Sequence, residues 1–160
     1  MTAKSIRDYL GKISTSGKHL LSLINDVLDM SRIESGSVKI EKTNIHLSDI
    51  LEDLKTIILE SVHAKQQKLL IKMQDVVHED IITDKLRLTQ VLLNIISNAV
   101  KFTPIGGTIQ ILVEEKISQK VGYAVYSFCI KDNGIGMSKE FQEHVFDSFA
   151  REHTVTESGI

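Results

Sequence analysis

Several residue types are scarce in this chain of 160 residues, and each shortage argues against a class of protein. The single cysteine, Cys129, cannot form an intrachain disulfide or a thiolate metal site, so nothing indicates an oxidising compartment. Nineteen basic and twenty-one acidic side chains give a net charge of -2, which disfavours nucleic acid or an anionic membrane as a partner. The apolar runs are far shorter than the roughly 20 residues of a membrane span. With 42% hydrophobic residues, the composition predicts a soluble globular chain with one core.

The N-terminal part of the chain has the apolar pattern of one long helix. Spacings of three and four alternate, as in a heptad seam, through Ile6, Leu10, Ile13, Gly17, Leu20, Ile24 and Val27. A helix of roughly thirty residues cannot bury this seam against itself, so we expect a homodimer through the helix. Packing of the seam on the chain's own globular part is the alternative. Ser35 to Ser37 contain the breaker that ends the helix, which predicts domains at 1–35 and 36–160.

The remaining sequence alternates between strand and helix patterns. Strands are predicted at 38–40, 69–73, 81–83, 108–115 and 123–131, and helices at 47–65 and 84–101. Ser48 or Asp49 is available to cap the first of these helices. The polar segment 116–122 predicts a hairpin whose two strands pair antiparallel. This order predicts an α+β fold in which helices lie on one face of a mixed sheet.

The helix predicted at 84–101 carries polar side chains on one face. Asn94 and Asn98 are four residues apart, and Lys101 follows three residues later on the same side. Asparagine has a low helix propensity and competes for backbone hydrogen bonds, so two of them on an otherwise apolar helix require a reason. A bound ligand is one reason. Capping of a neighbouring strand, or simple exposure to water, is the other.

A second cluster follows the last predicted strand, where Asp132 precedes Asn133, Gly134 and Gly136. Glycines at these positions let the backbone approach a flat ligand or adopt a positive φ. The carboxylate of Asp132 can accept a hydrogen bond from an exocyclic amine such as that of adenine. An ordinary Asp-Asn-Gly turn at the end of a strand accounts for the same residues without a ligand.

Taken together, these clusters have the order and spacing of a known family. Residues 94–102 on a helix, 132–137 after a hairpin and 145–149 beyond them resemble the ATP-binding domain of sensor histidine kinases of two-component systems. Residues 16–36 resemble the second helix of the dimerisation hairpin in the same family. The resemblance implies a long dimerisation helix followed by an α/β sandwich of the Bergerat type, with ATP and Mg2+ as cofactors.

The resemblance also implies roles for single residues. In the family's asparagine box, Asn98 holds Mg2+, which prefers oxygen ligands, and Asn94 assists it. Lys101 contacts phosphate as a point charge, and Phe102 lies near the nucleoside. Asp132 corresponds to the aspartate that reads adenine.

Further positions match the loops around the nucleotide. Gly134 and Gly136 correspond to the first glycine box, and Phe146 and Phe149 to the phenylalanine box at the base of the ATP lid. Arg151 falls where the family often has an arginine that binds phosphate.

Two features of the family pattern are missing from this sequence. The His-Glu-x-x-x-Pro pattern of the phosphoacceptor histidine does not occur, so we expect no catalytic histidine in this chain. The chain also ends at Ile160, before the second glycine box, whose backbone N–H groups bind phosphate at a helix N-terminus. We therefore expect an ATP-binding domain that is truncated and binds nucleotide weakly.

The resemblance implies a part of a histidine protein kinase, which transfers the γ-phosphoryl of ATP to a histidine supplied elsewhere. The implied partners are a second copy and the receiver domain of a response regulator, and the implied location is the cytoplasmic portion of a bacterial protein anchored at the inner membrane. The fragment alone is expected to be inactive. One alternative is an ATP hydrolase of the same superfamily, which has a glutamate where this chain has Asn94. A dimeric scaffold without nucleotide binding is the other.

Overall fold

The computed structural model describes residues 3–147 and residue 150. Within its first helix, it describes the side chains at 9–14, 16, 17, 20, 21, 24, 25 and 27–34. The chain divides into two units between Glu41 and Lys42. The elements are α1 (Ala3–Glu34), β1 (Thr43–His46), α2 (Leu47–Ala64), β2 (Lys68–Gln74), β3 (Asp80–Thr83), α3 (Lys85–Phe102), β4 (Thr108–Ile117), β5 (Ala124–Asp132) and α4 (Lys139–His144).

The first unit is the predicted long helix, α1, which is confirmed. It ends in a Schellman motif, because Gly36 has a φ of +63° and the N–H of Ser37 donates to the carbonyl of Arg32 at 3.0 Å. The described apolar side chains of its seam are exposed, including Ile13 at 67% and Ile24 at 46%. No helix among residues 3–147 combines the length and the apolar composition that a membrane crossing requires.

The second unit is built on a mixed sheet with the strand order β2-β4-β5. β2 runs parallel to β4, and β4 pairs antiparallel with β5 from Ile109 opposite Asp132 to Ile117 opposite Ala124. The predicted antiparallel hairpin is therefore confirmed. Since parallel neighbours need a crossover connection, the chain between β2 and β4 leaves the sheet and returns through α3. β1 and β3 form a separate antiparallel ladder.

The core lies between the sheet and the two helices α2 and α3, which confirms the predicted α+β class. Alternate residues of β4 face the helices and are fully buried, as the two-residue period of a strand requires. Partly buried side chains of β2 and β5 extend the same layer. The buried apolar residues are Ile45, Leu47, Ile50, Leu51, Leu54, Ile58, Val62, Leu92, Ile96, Ala99, Val100, Ile109, Ile111 and Val113.

Two local predictions are wrong. Neither Ser48 nor Asp49 caps α2, because the N-cap position is His46, whose side chain makes no capping hydrogen bond, and the hydroxyl of Ser48 bonds to the carboxylate of Glu79. Residues 38–40 form no strand, although they alternate in polarity. The first strand begins at Thr43, where β3 supplies a partner for its backbone groups.

Candidate functional site

The polar face of α3 is present as predicted. The helix begins at an N-cap, Asp84, whose Oδ1 accepts a hydrogen bond from the N–H of Arg87 at 3.0 Å. Its apolar side buries Leu92 and Ile96 in the core. Asn94, Asn98 and Lys101 are all exposed, so their side chains are open to water and to a ligand rather than engaged in capping a strand.

The loop after β5 is shaped by a local hydrogen bond of Asp132. Its Oδ1 accepts from the backbone N–H of Gly134 at 2.8 Å, which is an Asx-type turn. Among the described residues, no partner bonds to its second carboxylate oxygen. The side chain is exposed, so this second oxygen is free to accept a hydrogen bond from outside the protein. Gly136, two residues further on, has a φ of +71°, which favours glycine.

Gly134 joins this loop to the C-terminal end of α3. A Cβ at Gly134 would lie 2.7 Å from the carbonyl oxygen of Phe102 and 2.6 Å from Oδ1 of Asp132. Only glycine therefore allows the loop to approach this closely. The N–H of Ile135 donates to the same carbonyl of Phe102 at 3.4 Å, so the two predicted clusters are in direct contact.

Two further residues hold this arrangement, and sequence reasoning missed their role. Asn133 bonds twice to Thr108, since its side-chain Oδ1 accepts from the N–H of Thr108 at 2.7 Å and its own N–H donates to the carbonyl of Thr108 at 3.3 Å. Gly107 lies beside it, where a Cβ would be 2.3 Å from the side chain of Thr103 and 2.9 Å from Oδ1 of Asn133. In the sequence, the Gly106-Gly107 pair between a helix and a strand is the available signal, but such a pair indicates only that the helix has ended.

Of the remaining predicted residues, Phe102 and Phe146 are described by the structure. Phe102 is 40% exposed, and the ammonium of Lys101 lies 4.8 Å from the centre of its ring, within the range of a cation–π contact. Phe146 is almost fully exposed just after α4. Phe149 and Arg151 lie outside the described residues.

Two hollows in the described surface lie elsewhere. One, of about 510 Å³, is formed by α2 with the first two turns of α3 and includes the ion pair between Asp53 and Lys85. The other, of about 450 Å³, lies between α2 and β2. None of the predicted site residues lines either hollow. In the described part of the chain, the candidate site is therefore an open surface formed by α3 and the loop after β5.

Comparison with known proteins identifies the family of this region. The family model described as histidine kinase-, DNA gyrase B- and HSP90-like ATPase matches residues 83–160, which include α3, the loop after β5 and all predicted site residues. Residues 83–160 belong to this ATPase family. The histidine kinase-like ATPase segment therefore contains both clusters that the sequence singled out.

Relatives that match most of the chain, including this ATPase segment, confirm the resemblance to sensor histidine kinases. The signal transduction histidine-protein kinase BarA of Escherichia coli (strain K12) is 37% identical over 145 residues, which are 89% of this chain and 15% of that protein. The chain thus spans about a sixth of the length of the curated relatives that it matches.

Solved structures support the fold. Histidine kinase ThkA in complex with response regulator protein TrrA is similar with a TM-score of 0.69 and 18% identity, over 94% of this chain and 42% of that one. Full-length ShkA in complex with AMPPNP is similar with a TM-score of 0.67 and 28% identity, over 88% of this chain and 28% of that one.

Proposed function

We propose that this chain binds Mg-ATP between the polar face of α3 and the loop after β5, as the ATP-binding part of a sensor histidine kinase. The observation that carries the proposal is the contact of Gly134 with the carbonyl of Phe102, because it brings the adenine-reading and phosphate-binding clusters side by side. The proposal is supported by the family match over 83–160 and by the similarity to ShkA, whose structure contains AMPPNP.

At the base end of the site, we assign adenine recognition to Asp132. One oxygen of its carboxylate is used by the N–H of Gly134, and the second is available to an exocyclic amino group. The turn holds the carboxylate in place before the ligand arrives. Gly134 and Gly136 keep side chains away from the path of the base.

At the phosphate end, the donor set of α3 fits a magnesium nucleotide. Asn98 offers an exposed amide oxygen, the kind of ligand that Mg2+ accepts while it keeps several waters, and Asn94 lies one turn away to assist. Lys101 supplies a positive charge for phosphate, and its contact with Phe102 orients both side chains. Arg151 is assigned to phosphate from its sequence position.

The chemistry that this site supports is phosphoryl transfer rather than hydrolysis. Bound Mg2+ would neutralise phosphate charge, and the protein would mainly hold the nucleotide in line with an acceptor. The family also includes gyrase-like and HSP90-like ATPases, in which a glutamate activates water. Asn94 has a carboxamide that cannot take a proton from water, which favours the kinase. The acceptor histidine would come from outside this chain, so the chain alone is proposed to be inactive.

The proposal extends to partners and location. The exposed seam of α1 supports a homodimer, as a helix with an unburied apolar stripe needs a partner. A response regulator receiver domain is proposed as the recipient of the phosphoryl group, in line with the ThkA structure that contains TrrA. Since the relatives are bacterial sensor kinases, we propose a cytoplasmic segment of a protein anchored at the inner membrane.

The first test is an NMR titration of the 160-residue chain with AMPPNP and Mg2+ up to millimolar concentration, which detects even weak binding. We expect the amide signals of 132–136 and of the last two turns of α3 to shift in a saturable way. The variant Asp132→Asn keeps one oxygen for Gly134 but loses the second acceptor, so we expect affinity to fall by about tenfold. Absence of saturable shifts in the unmodified chain would leave the scaffold without nucleotide binding as the better interpretation.

A second variant tests the assigned metal ligand independently of adenine recognition. Asn98→Ala should reduce the affinity gained by adding Mg2+ while helix content is kept, because alanine is the better helix former at an exposed position. Ser97→Ala is the matched control, since its hydroxyl bonds only to its own helix at the carbonyl of Asn94. Equal Mg2+ dependence in Asn98→Ala and Ser97→Ala would contradict the assignment of the metal ligand.

A further inference from the structure

The C-terminal end of α3 is satisfied by a side chain from another part of the chain. The last carbonyl groups of a helix have no partner within it. Here the ammonium of Lys65, which follows α2, donates to the carbonyls of Val100 at 3.0 Å, Lys101 at 2.7 Å and Thr103 at 3.2 Å. One positive charge thus contacts three carbonyls at the negative end of the helix dipole.

A buried carboxamide completes this arrangement. Gln67 is 7% exposed, and its Nε2 donates to the carbonyls of Val100 at 3.1 Å and Thr103 at 2.7 Å. The backbone adds two bonds, from Gly106 N–H to the carbonyl of Lys65 and from Lys68 N–H to the carbonyl of Gly107. We call Lys65 and Gln67 the C-terminal socket of α3.

The socket contacts the carbonyls on both sides of Phe102, whose own carbonyl has a different partner. The carbonyl of Phe102 accepts from the N–H of Ile135 and lies against Gly134, as described above. Because the neighbouring carbonyls are fixed by Lys65 and Gln67, the direction of the Phe102 carbonyl is fixed as well. The socket therefore contacts the same stretch of backbone that meets the loop after β5.

The socket and the helix end that it contacts are also more polar than stability alone would require. Oε1 of Gln67 and Oγ1 of Thr103 are buried, and neither has a partner among the described residues. An unpaired buried oxygen is destabilising, so an apolar filling would serve better if packing were the only requirement. This points to a role in placement of the helix end.

We propose that Lys65 and Gln67 are positioning residues of the nucleotide site. They hold Lys101 and Phe102 in register with the loop that contains Asp132. The ammonium of Lys65 also offsets the partial negative charge of the helix end close to the residue assigned to phosphate. This inference rests on the proposed function, because the residues that the socket places are those assigned to nucleotide binding.

The test compares Lys65→Met, which removes the donors and the charge at similar length, with Lys65→Arg, which keeps a cation. Lys72→Met is the matched control, since Lys72 is exposed on β2 and bonds only to the side chain of Gln74. In the nucleotide-free 160-residue chain, we expect Lys65→Met to shift the amide signals of Gly134 and Ile135. In the titration, its affinity for AMPPNP should fall by about fivefold, with at least partial recovery in Lys65→Arg.

The two readouts keep this inference separate from the proposed function. If the unmodified chain binds no nucleotide, the proposed function fails, and the loop signals of the nucleotide-free protein still decide whether the socket sets the loop. Unchanged loop signals in Lys65→Met would overturn the inference. Shifted loop signals with unchanged affinity in a chain that binds nucleotide would reduce the socket to a structural cap and overturn it too. If Lys65→Met does not fold, Gln67→Met is compared with the unmodified chain by the same two criteria.

Discussion

The apolar side chains of α1 and α2 differ in their exposure to solvent, although both helices repeat them at spacings of three and four. In α2, Ile50 and Leu54 are 0% and 1% exposed against the sheet and α3. In α1, the described apolar side chains of the seam are about half exposed or more. Periodicity thus identifies a face that needs burial, whereas the partner that buries it has to be supplied by the fold or by another molecule.

The largest effect is expected from a charge placed in the buried stripe. Ile50→Asp should lower the free energy of unfolding of the second unit by about 4 kcal/mol, because a carboxylate would lose its water without gaining a partner. Chemical denaturation followed by circular dichroism measures this change. Ile57→Asp is the matched control on the exposed side of the same helix, where we expect a change within about 0.5 kcal/mol. Equal losses of unfolding free energy in the two variants would contradict the difference between the buried and exposed faces.

The same substitution in α1 should act on assembly rather than on folding. Ile24→Asp puts a charge in the middle of the seam, so we expect the dimer to dissociate while the unfolding of residues 42–160 is unchanged. Sedimentation equilibrium gives the dissociation constant, and Asn25→Asp controls for added charge at an exposed neighbouring position. An unaltered dimer in Ile24→Asp, or a monomeric unmodified chain at high concentration, would contradict the seam as a dimer interface.

The smallest effect concerns the C-terminal ends of α1 and α2. The two ends share one backbone motif but have different residues at its positive-φ position. Both end in a Schellman motif with a residue at positive φ, Gly36 after α1 and Gln66 after α2. A side chain at positive φ is strained, so Gln66→Gly should raise the free energy of unfolding of the second unit by about 0.5–1 kcal/mol. Thermal unfolding measures this gain, and Gly36→Gln is expected to reduce helicity. If Gln66→Gly is instead destabilised, the glutamine side chain stabilises the fold by more than its strained backbone conformation costs.

Local patterns predicted most of the fold. The apolar periods of α2 and α3 predicted the helices, and the polar segment 116–122 predicted the hairpin, because each signal depends on neighbours in the sequence. The predicted cap of α2 was wrong because the hydroxyl of Ser48 bonds to Glu79, which lies on a later loop. The domain boundary predicted after residue 35 stays a prediction.

The candidate site was predicted from residues that form compact motifs. Asn94, Asn98 and Asp132 stand in recognisable runs, whereas the socket residues stand in the unremarkable run Lys65-Gln66-Gln67. Their partners are more than thirty positions away, and no local pattern reports such contacts.

Another long-range contact lies outside the site. The carboxylate of Glu115 accepts hydrogen bonds from the N–H groups of Val77 and His78 and from the ring of His78. These bonds, chiefly the backbone bond from His78, hold the pKa of Glu115 below its usual value. Pairing of this kind follows only from the folded topology.

The last turn of α3 has a consequence for local opening. Helix ends ordinarily fray first, because their final carbonyls have no partner within the helix and bond readily to water. Here those carbonyls are shared between the segment after α2 and the segment after β5, so the turn cannot unwind without releasing both. We therefore expect these three stretches, which are distant in sequence, to open and close as one cooperative unit.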